Sequence, residues 1–117
     1  MNNEERAIWS GIEKHLQALG CGYYWKLKNG DTVSMCPDYT HDLNACFRDF
    51  EPKLYELKDV SGIEFLREGD VRFVQINYWT GKNSIDGYGI SVIEGKGGTY
   101  SEAFTAAVDK IIEGGKK

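Results

Sequence analysis

The chain has 117 residues, 41% of them hydrophobic, and a formal net charge of −4 at neutral pH. This length is enough for one domain with a real core and too short for two, so we predict a single domain over residues 1–117. The acidic balance excludes the basic stripe on which nonspecific DNA or RNA binding depends, and no run approaches the roughly 18 apolar residues of a membrane span, so neither partner is expected.

The first predicted element is a helix that Asn2 or Asn3 can cap and that Gly20 and Gly22 end. Its apolar face is formed by Ile8, Ile12, Leu16 and Leu19. Trp9 lies beside that face and is interpreted as a core or interface aromatic, with a stacking platform as the alternative.

A β-hairpin is predicted next. Residues 23–28 alternate between apolar and polar side chains, Asn29-Gly30 is a strong turn signal, and residues 32–36 form the return strand.

A second helix follows Pro37, with Thr40 as its predicted cap. Its apolar stripe consists of Leu43, Phe47, Phe50, Leu54 and Leu57. Pro52 lies inside this pattern, where it removes a backbone hydrogen bond, so a kink or break is expected near Glu51. We interpret it as a helix bent to fit a sheet; the alternative is a hinge.

Two further strands are predicted over residues 63–66 and 71–80. In the second, Phe73, Gln75, Asn77 and Trp79 share one face, opposite Arg72, Val74, Ile76 and Tyr78. Both faces mix apolar and polar groups, which indicates a strand covered partly by a helix and partly by something else, such as a partner chain.

The chain is then predicted to form a strand over residues 88–93, a glycine loop over 94–98 and a last helix. Thr99 and Glu102 have the spacing of a capping box. The inward face of this helix consists of Phe104, Ala107, Val108, Ile111 and Ile112. The order of elements predicts an α+β fold, an antiparallel sheet with helices packed on it as an α-β-α sandwich.

The glycine loop and the capped helix suggest an anion site. Lys96, Gly97, Gly98 and Thr99 would offer one ammonium, free backbone N–H groups and the positive end of the helix dipole to a phosphate. Tyr78, Trp79, Tyr88 or Trp9 could stack on a base. The alternative is that the glycines only let the chain turn from a strand into a capped helix.

Cysteine and histidine are few. Cys21, Cys36 and Cys46 have no metal-like spacing, and the chain starts without an apolar signal segment, which indicates reduced thiols in a cytosolic protein. His15 and His41 are far apart, so we predict no metal site and no cofactor. Neither histidine has the context of a triad, which predicts a protein that is not an enzyme, although catalytic groups can converge from distant positions.

Residues 37–45, Pro-Asp-Tyr-Thr-His-Asp-Leu-Asn-Ala, resemble the Pro-x-Tyr-Ser-Thr-Asp-Ile-x-Ala opening of a helix in the phage ABA-sandwich domain family. The order of elements is similar over the whole domain, and Thr40-His41 departs from the usual Ser-Thr. The resemblance implies a phage or prophage origin, a fold in which helices enclose a sheet, and a place in the cytoplasm of the infected bacterium. It implies no established activity, so no catalytic residue is carried over.

Two kinds of function are predicted. The first is a non-enzymatic phage protein that sequesters a phosphorylated, nucleotide-derived immune signal, by analogy of size and setting with anti-defence sponges. The alternative is an interaction protein without a small ligand, either an inhibitor of a host protein or a self-assembling accessory factor. Residues 42–70 contain eight acids against four basic residues, which could mask a basic surface or form a solvated face. Fifteen aromatic residues are many for one small core, which favours a homo-oligomer.

Overall fold

The computed structural model describes residues 1–17, 22–57, 60–79 and 90–114. The first half contains helix α1 (Asn3–Trp9), strands β1 (Glu13–Leu16), β2 (Tyr23–Lys26) and β3 (Thr32–Val33), helix α2 (Leu43–Ala45), a π-helical turn (Cys46–Phe50) and helix α3 (Glu51–Glu56). The second half contains strands β4 (Val60–Glu68), β5 (Val71–Trp79) and β6 (Ile90–Gly97) and helix α4 (Tyr100–Gly114). The predicted α+β class is confirmed.

The strands form two antiparallel three-stranded sheets, with the orders β1-β2-β3 and β4-β5-β6. A single sheet was expected from the sequence. The difference arises because residues 13–16, which the apolar periodicity assigns to the first helix, pair with β2 and complete a sheet of their own.

Helix α1 is therefore shorter than predicted. Asn2 caps it, accepting a hydrogen bond from the backbone N of Glu5 at 2.9 Å. The chain then leaves the helix at Gly11, which has φ +91° and so takes up a left-handed conformation that favours glycine. The prediction of a helix up to Leu19 is wrong, and Ile8 and Leu16 are exposed, not buried in a common face. Residues 18–21 lie outside the described part of the chain.

The hairpin prediction is confirmed at its turn. Gly30 has φ +94°, and β2 pairs with β3 in the register Trp25 to Val33. The return strand is shorter than expected, because β3 ends at Val33.

The second helical segment begins at Leu43, and its cap is Asp42, whose carboxylate accepts a hydrogen bond from the backbone N of Ala45 at 3.2 Å. The prediction of Thr40 as the cap is wrong, since the Thr40 hydroxyl donates to Asp38 instead, at 2.8 Å. The irregularity expected near Glu51 takes the form of the π-helical turn directly before α3. Pro52 lies in the first turn of α3, where its missing N–H is tolerated.

One hydrophobic cluster connects α1, the first sheet, the π-helical turn, the inner face of the second sheet and α4. Phe50 is fully buried at its centre, with ring centroids 4.4 Å from Tyr39 and 5.7 Å from Phe104. Phe47, expected to lie in the same buried stripe, is 37% exposed and contacts Phe65 and Phe104 from the rim. The wider π-helical turn rotates these neighbouring positions away from ideal α-helical spacing.

A polar group is buried beside this core. Asp49 is 2% exposed and accepts a hydrogen bond from the Tyr39 hydroxyl at 2.8 Å and two from the Arg48 guanidinium at 2.8 Å each. Burial, followed by the charge of Asp49, strongly raises the pKa of Tyr39, so its hydroxyl remains a donor. The carboxylate is thus paired as a buried charge requires.

Helix α4 packs on β5 and β6 at very short range. A Cβ atom added at Gly95 would overlap the carbonyl oxygen of Ala103 and the backbone N of Ala107, and one at Gly97 would lie 2.6 Å from the Cβ of Glu102. These glycines are therefore strand residues that let the helix approach. The prediction of a flexible loop over residues 94–98 is wrong for its first four residues, which belong to β6.

Candidate functional site

The second sheet has one face against α4 and one face whose described side chains are exposed or half-buried. Side chains at alternate positions of β5, including Val74 and Ile76, are fully buried under the helix. The opposite positions form what we call the outer face, which is made of Glu64, Leu66 and Glu68 of β4, Val71, Phe73, Gln75, Asn77 and Trp79 of β5, and Ile90, Val92, Glu94 and Lys96 of β6. No described helix covers the outer face.

Large apolar side chains lie at both ends of the outer face. Trp79 pairs with Ile90 across the strands, beside Val92, and these three side chains are between 44% and 51% exposed. At the other end Leu66 pairs with Phe73, and Leu66 and Val71 are also exposed. Contiguous exposed apolar groups of this kind mark interaction sites more often than isolated ones do.

A polar row separates the two apolar ends. Glu64, Gln75 and Glu94 are direct cross-strand neighbours, one from each strand. The Gln75 amide donates to Glu94 at 2.8 Å, and the Asn77 amide donates to Glu64 at 3.1 Å. Because adjacent strands lie about 4.8 Å apart, the two glutamates lie about 10 Å apart across the sheet. The amides hold both carboxylates in place, while oxygens that accept nothing within the described residues face the solvent.

The predicted anion site is only partly assembled. Lys96, Gly97 and Gly98 line a shallow groove of about 450 Å³ together with Asp70, Val71 and Phe73, at the end of the outer face where β5 begins. Among the described residues that line this groove, Lys96 is the one basic group, and Asp70 offsets its charge. The groove therefore presents no net positive charge to an anion.

The cap of α4 forms as predicted at Thr99, whose hydroxyl accepts a hydrogen bond from the backbone N of Glu102 at 3.2 Å. The reciprocal bond is displaced by one residue, since the Glu102 carboxylate accepts from the backbone N of Gly98 at 3.0 Å. The Glu102 carboxylate thus already accepts the hydrogen bond that the Gly98 N–H group would donate to a phosphate. Its negative charge would also repel a second anion there.

The aromatic residues proposed for base stacking are dispersed. Trp79 shares the outer face with Lys96 but lies six positions along from Phe73, the partner of Lys96, which is about 20 Å. Tyr78 points to the opposite face, and Trp9 packs edge-on against Phe50 in another layer of the molecule. Tyr88 lies outside the described residues. Among the described residues, the predicted phosphate and base contacts lie apart.

Tyr78 instead lines an apolar cleft of about 430 Å³ between the second sheet and α4. Its other lining residues are Leu57, Val60, Ile76, Ile93, Lys110, Ile111 and Gly114. Lys110 donates a hydrogen bond from its ammonium to the carbonyl oxygen of Glu94, which directs its charge at the exposed edge of β6.

The motif at residues 37–45 contains one cluster of chemically active side chains. The Asp38 carboxylate accepts from the Thr40 hydroxyl at 2.8 Å and lies 2.9 Å from Nδ1 of His41, and these contacts, with that to Thr40 foremost, lower the pKa of Asp38. The same Nδ1 atom lies 3.0 Å from the Thr40 hydroxyl. A relay needs the two ring nitrogens on different partners, so this arrangement is a turn-stabilising cluster before α2.

Within the described ranges, no group of three or more histidine, cysteine or acidic side chains could hold a metal ion. The described helices also include none that is long and apolar enough to cross a membrane.

Sequence reasoning found the β5 side of the outer face from its alternation. It missed Glu64, Glu94, Ile90 and Val92, because only the strand register shows which residues of β4 and β6 lie beside Gln75 and Trp79. Comparison of the chain with protein-family models, curated proteins and solved structures gives no match. The resemblance to the phage ABA-sandwich family stays a prediction that rests on residues 37–45.

Proposed function

We propose that this protein is a non-catalytic binding protein that holds a helix of another protein on its outer face. The observation that carries the proposal is the open sheet face, apolar at both ends and acidic in the middle. It favours the interaction-protein prediction over sequestration of a nucleotide signal, because the predicted nucleotide contacts that the structure describes lie apart. A phage origin remains a prediction from the resemblance, and an anti-defence role remains a prediction by analogy of size and setting.

The size of the face sets the size of the partner segment. Strands of nine, nine and eight residues give an area about 30 Å long and about 15 Å wide. One α-helix of about 20 residues matches this length and width, and α4 covers the inner face of the same sheet in this manner. A helix from the partner would complete the α-β-α sandwich that the sequence predicts.

The charges of the outer face set the chemistry of that helix. The described residues of the outer face include three acids, Glu64, Glu68 and Glu94, and one basic residue, Lys96, so this face is net acidic. A helix with a central lysine or arginine, flanked on the same stripe by leucine or aromatic side chains, would place its cation between Glu64 and Glu94. Its apolar groups would cover Trp79 at one end and Phe73 at the other.

A second copy of this chain fits the face less well. Two copies stacked about a two-fold axis through the polar row would set Glu64 and Glu94 against each other's carboxylates. The test must therefore distinguish a partner helix from a second copy of this chain, as in the predicted homo-oligomer.

The test uses two synthetic amphipathic helices that differ only in the central residue, arginine in one and glutamate in the other. We expect saturable binding of the arginine peptide, measured by titration calorimetry, and about tenfold weaker binding to the double variant Glu64→Lys/Glu94→Lys. The glutamate peptide should show the reverse preference. Glu113→Lys, which makes half of that charge change at an exposed position of α4 away from the outer face, is the control.

Binding of neither peptide, or binding of both that ignores the charge reversal, would contradict the proposal. A dimer in sedimentation equilibrium that Trp79→Ser dissociates would instead make a second copy the occupant of the outer face.

A further inference from the structure

The tip of the β4–β5 hairpin contains a cross-strand pair of like charges, which is unfavourable in a β-sheet. Arg67 and Arg72 are direct cross-strand partners on the inner face, and two like charges in this position destabilise a sheet. Between them the chain turns through Gly69 and Asp70, with Gly69 at φ +61°. Local rules of this kind are broken most often where a site needs the residues.

Both guanidinium groups donate a hydrogen bond to the same backbone carbonyl oxygen. Nε of Arg67 donates to the carbonyl oxygen of Gly69 at 3.1 Å, and Nη1 of Arg72 donates to the same oxygen at 3.3 Å. The ring of Tyr100, the first residue of α4, lies 5.6 Å from the guanidinium carbon of Arg72. One neutral oxygen and one ring thus hold two cations close together.

Neither arginine forms an ion pair within the part of the chain that the structure describes, although Glu68 and Asp70 lie beside them in the sequence. The ion pairs there involve other basic residues, namely Arg6, Lys14, His15, Lys28, His41 and Arg48. Each guanidinium has five N–H donors, of which one is used, so several donors remain for a ligand at the hairpin tip.

We propose that Arg67 and Arg72 form a binding site for a doubly charged tetrahedral oxyanion, the chemistry of a phosphate monoester. Two guanidinium forks match the geometry of phosphate oxygens and balance a charge of about −2. The anion removes the repulsion between the arginines, which is the physical gain on binding. Lys96, which the sequence favours for phosphate, lies on the other face of the sheet and takes no part.

Such a group could come from a small phosphorylated metabolite or from a phosphorylated protein segment. Titration calorimetry with inorganic phosphate, adenosine monophosphate and a phosphoserine peptide at low ionic strength separates these sources. A clear preference for one ester over inorganic phosphate identifies the source, and equal affinities assign the site to the phosphate group alone.

The variants are Arg67→Gln, Arg72→Gln and their combination, with Lys96→Gln as a control whose charge change equals that of each single variant. We expect the double variant to bind phosphate at least about tenfold more weakly than the wild type, and Lys96→Gln to bind like the wild type. Without anion, Arg67→Gln should raise the melting temperature, because it removes the opposed charges; phosphate should raise that of the wild type and not that of the double variant.

Three results would overturn the proposal. They are the absence of binding to the wild type at millimolar phosphate, undiminished binding by the double variant, and a fall in melting temperature for Arg67→Gln in phosphate-free buffer. The last would show that the arginines stabilise the hairpin by themselves.

Discussion

Gly95 of β6 lies directly beneath Ala103 of α4, so close that no other residue type fits at the glycine position without moving the helix. The same stretch of sequence contains Gly98, where an added Cβ atom would meet only the Glu102 carboxylate at 3.6 Å, an ordinary contact. The two glycines thus differ in what their missing side chains allow.

This difference gives the first prediction. Gly95→Ala should lower the free energy of unfolding by about 3 kcal/mol, the upper range for overpacking, because the obstacle is helix backbone and cannot rotate away. Gly98→Ala should change it by less than about 0.5 kcal/mol. Urea denaturation followed by circular dichroism measures both. Equal effects of the two substitutions would mean that α4 does not lie on Gly95.

The second prediction concerns the aromatic core. Phe50→Ala removes a ring that is fully buried between Tyr39 and Phe104, and should cost about 4 kcal/mol. Phe47→Ala should cost about 2 kcal/mol, because more than a third of that side chain is already exposed. Chemical denaturation of both variants measures the two losses, and a larger loss for Phe47→Ala would mean that Phe47 lies deeper in the core than Phe50.

The third prediction concerns the ion pair between α1 and α4. Arg6 is 8% exposed and binds both carboxylate oxygens of Asp109 at 2.8 Å, and also Asn3 at 2.7 Å. Arg6→Lys keeps the charge and loses the fork, so we expect a loss of about 2 kcal/mol in unfolding free energy. Lys28→Gln, which breaks the exposed pair with Glu56, should cost less than about 1 kcal/mol. Similar losses for both would remove the case for a special role of the Arg6 fork.

The fourth prediction concerns pH. Burial raises the pKa of Cys46 from 9.0 to about 11, so the folded protein keeps this thiol protonated where the unfolded chain has lost the proton. The resulting stability is complete below pH 9 and is lost as the pH rises toward 11, because the unfolded state binds fewer protons in that window. Melting temperatures measured from pH 8 to 11 should therefore fall more steeply for the wild type than for Cys46→Ala. Parallel curves would place the thiol in contact with solvent.

Much of the fold could be predicted from local signals because the physical causes are local. Asn29-Gly30 turns the first hairpin, Thr99 caps α4, and the alternation over 71–80 gives β5, since each depends on backbone geometry or on side chains a few residues apart. The net acidic charge and the residues of α4 that face the core also follow from the sequence alone.

Tertiary structure decided the rest. The apolar spacing of Ile8, Ile12 and Leu16 suits a helix, but pairing with β2 makes residues 13–16 a strand, because cross-strand hydrogen bonds outweigh a weak periodic signal. Gly95 and Gly97 suggest a loop in the sequence and serve helix packing in the fold. The outer face and the Arg67–Arg72 pair depend on strand register, which brings distant residues side by side and which no spacing along one strand can show.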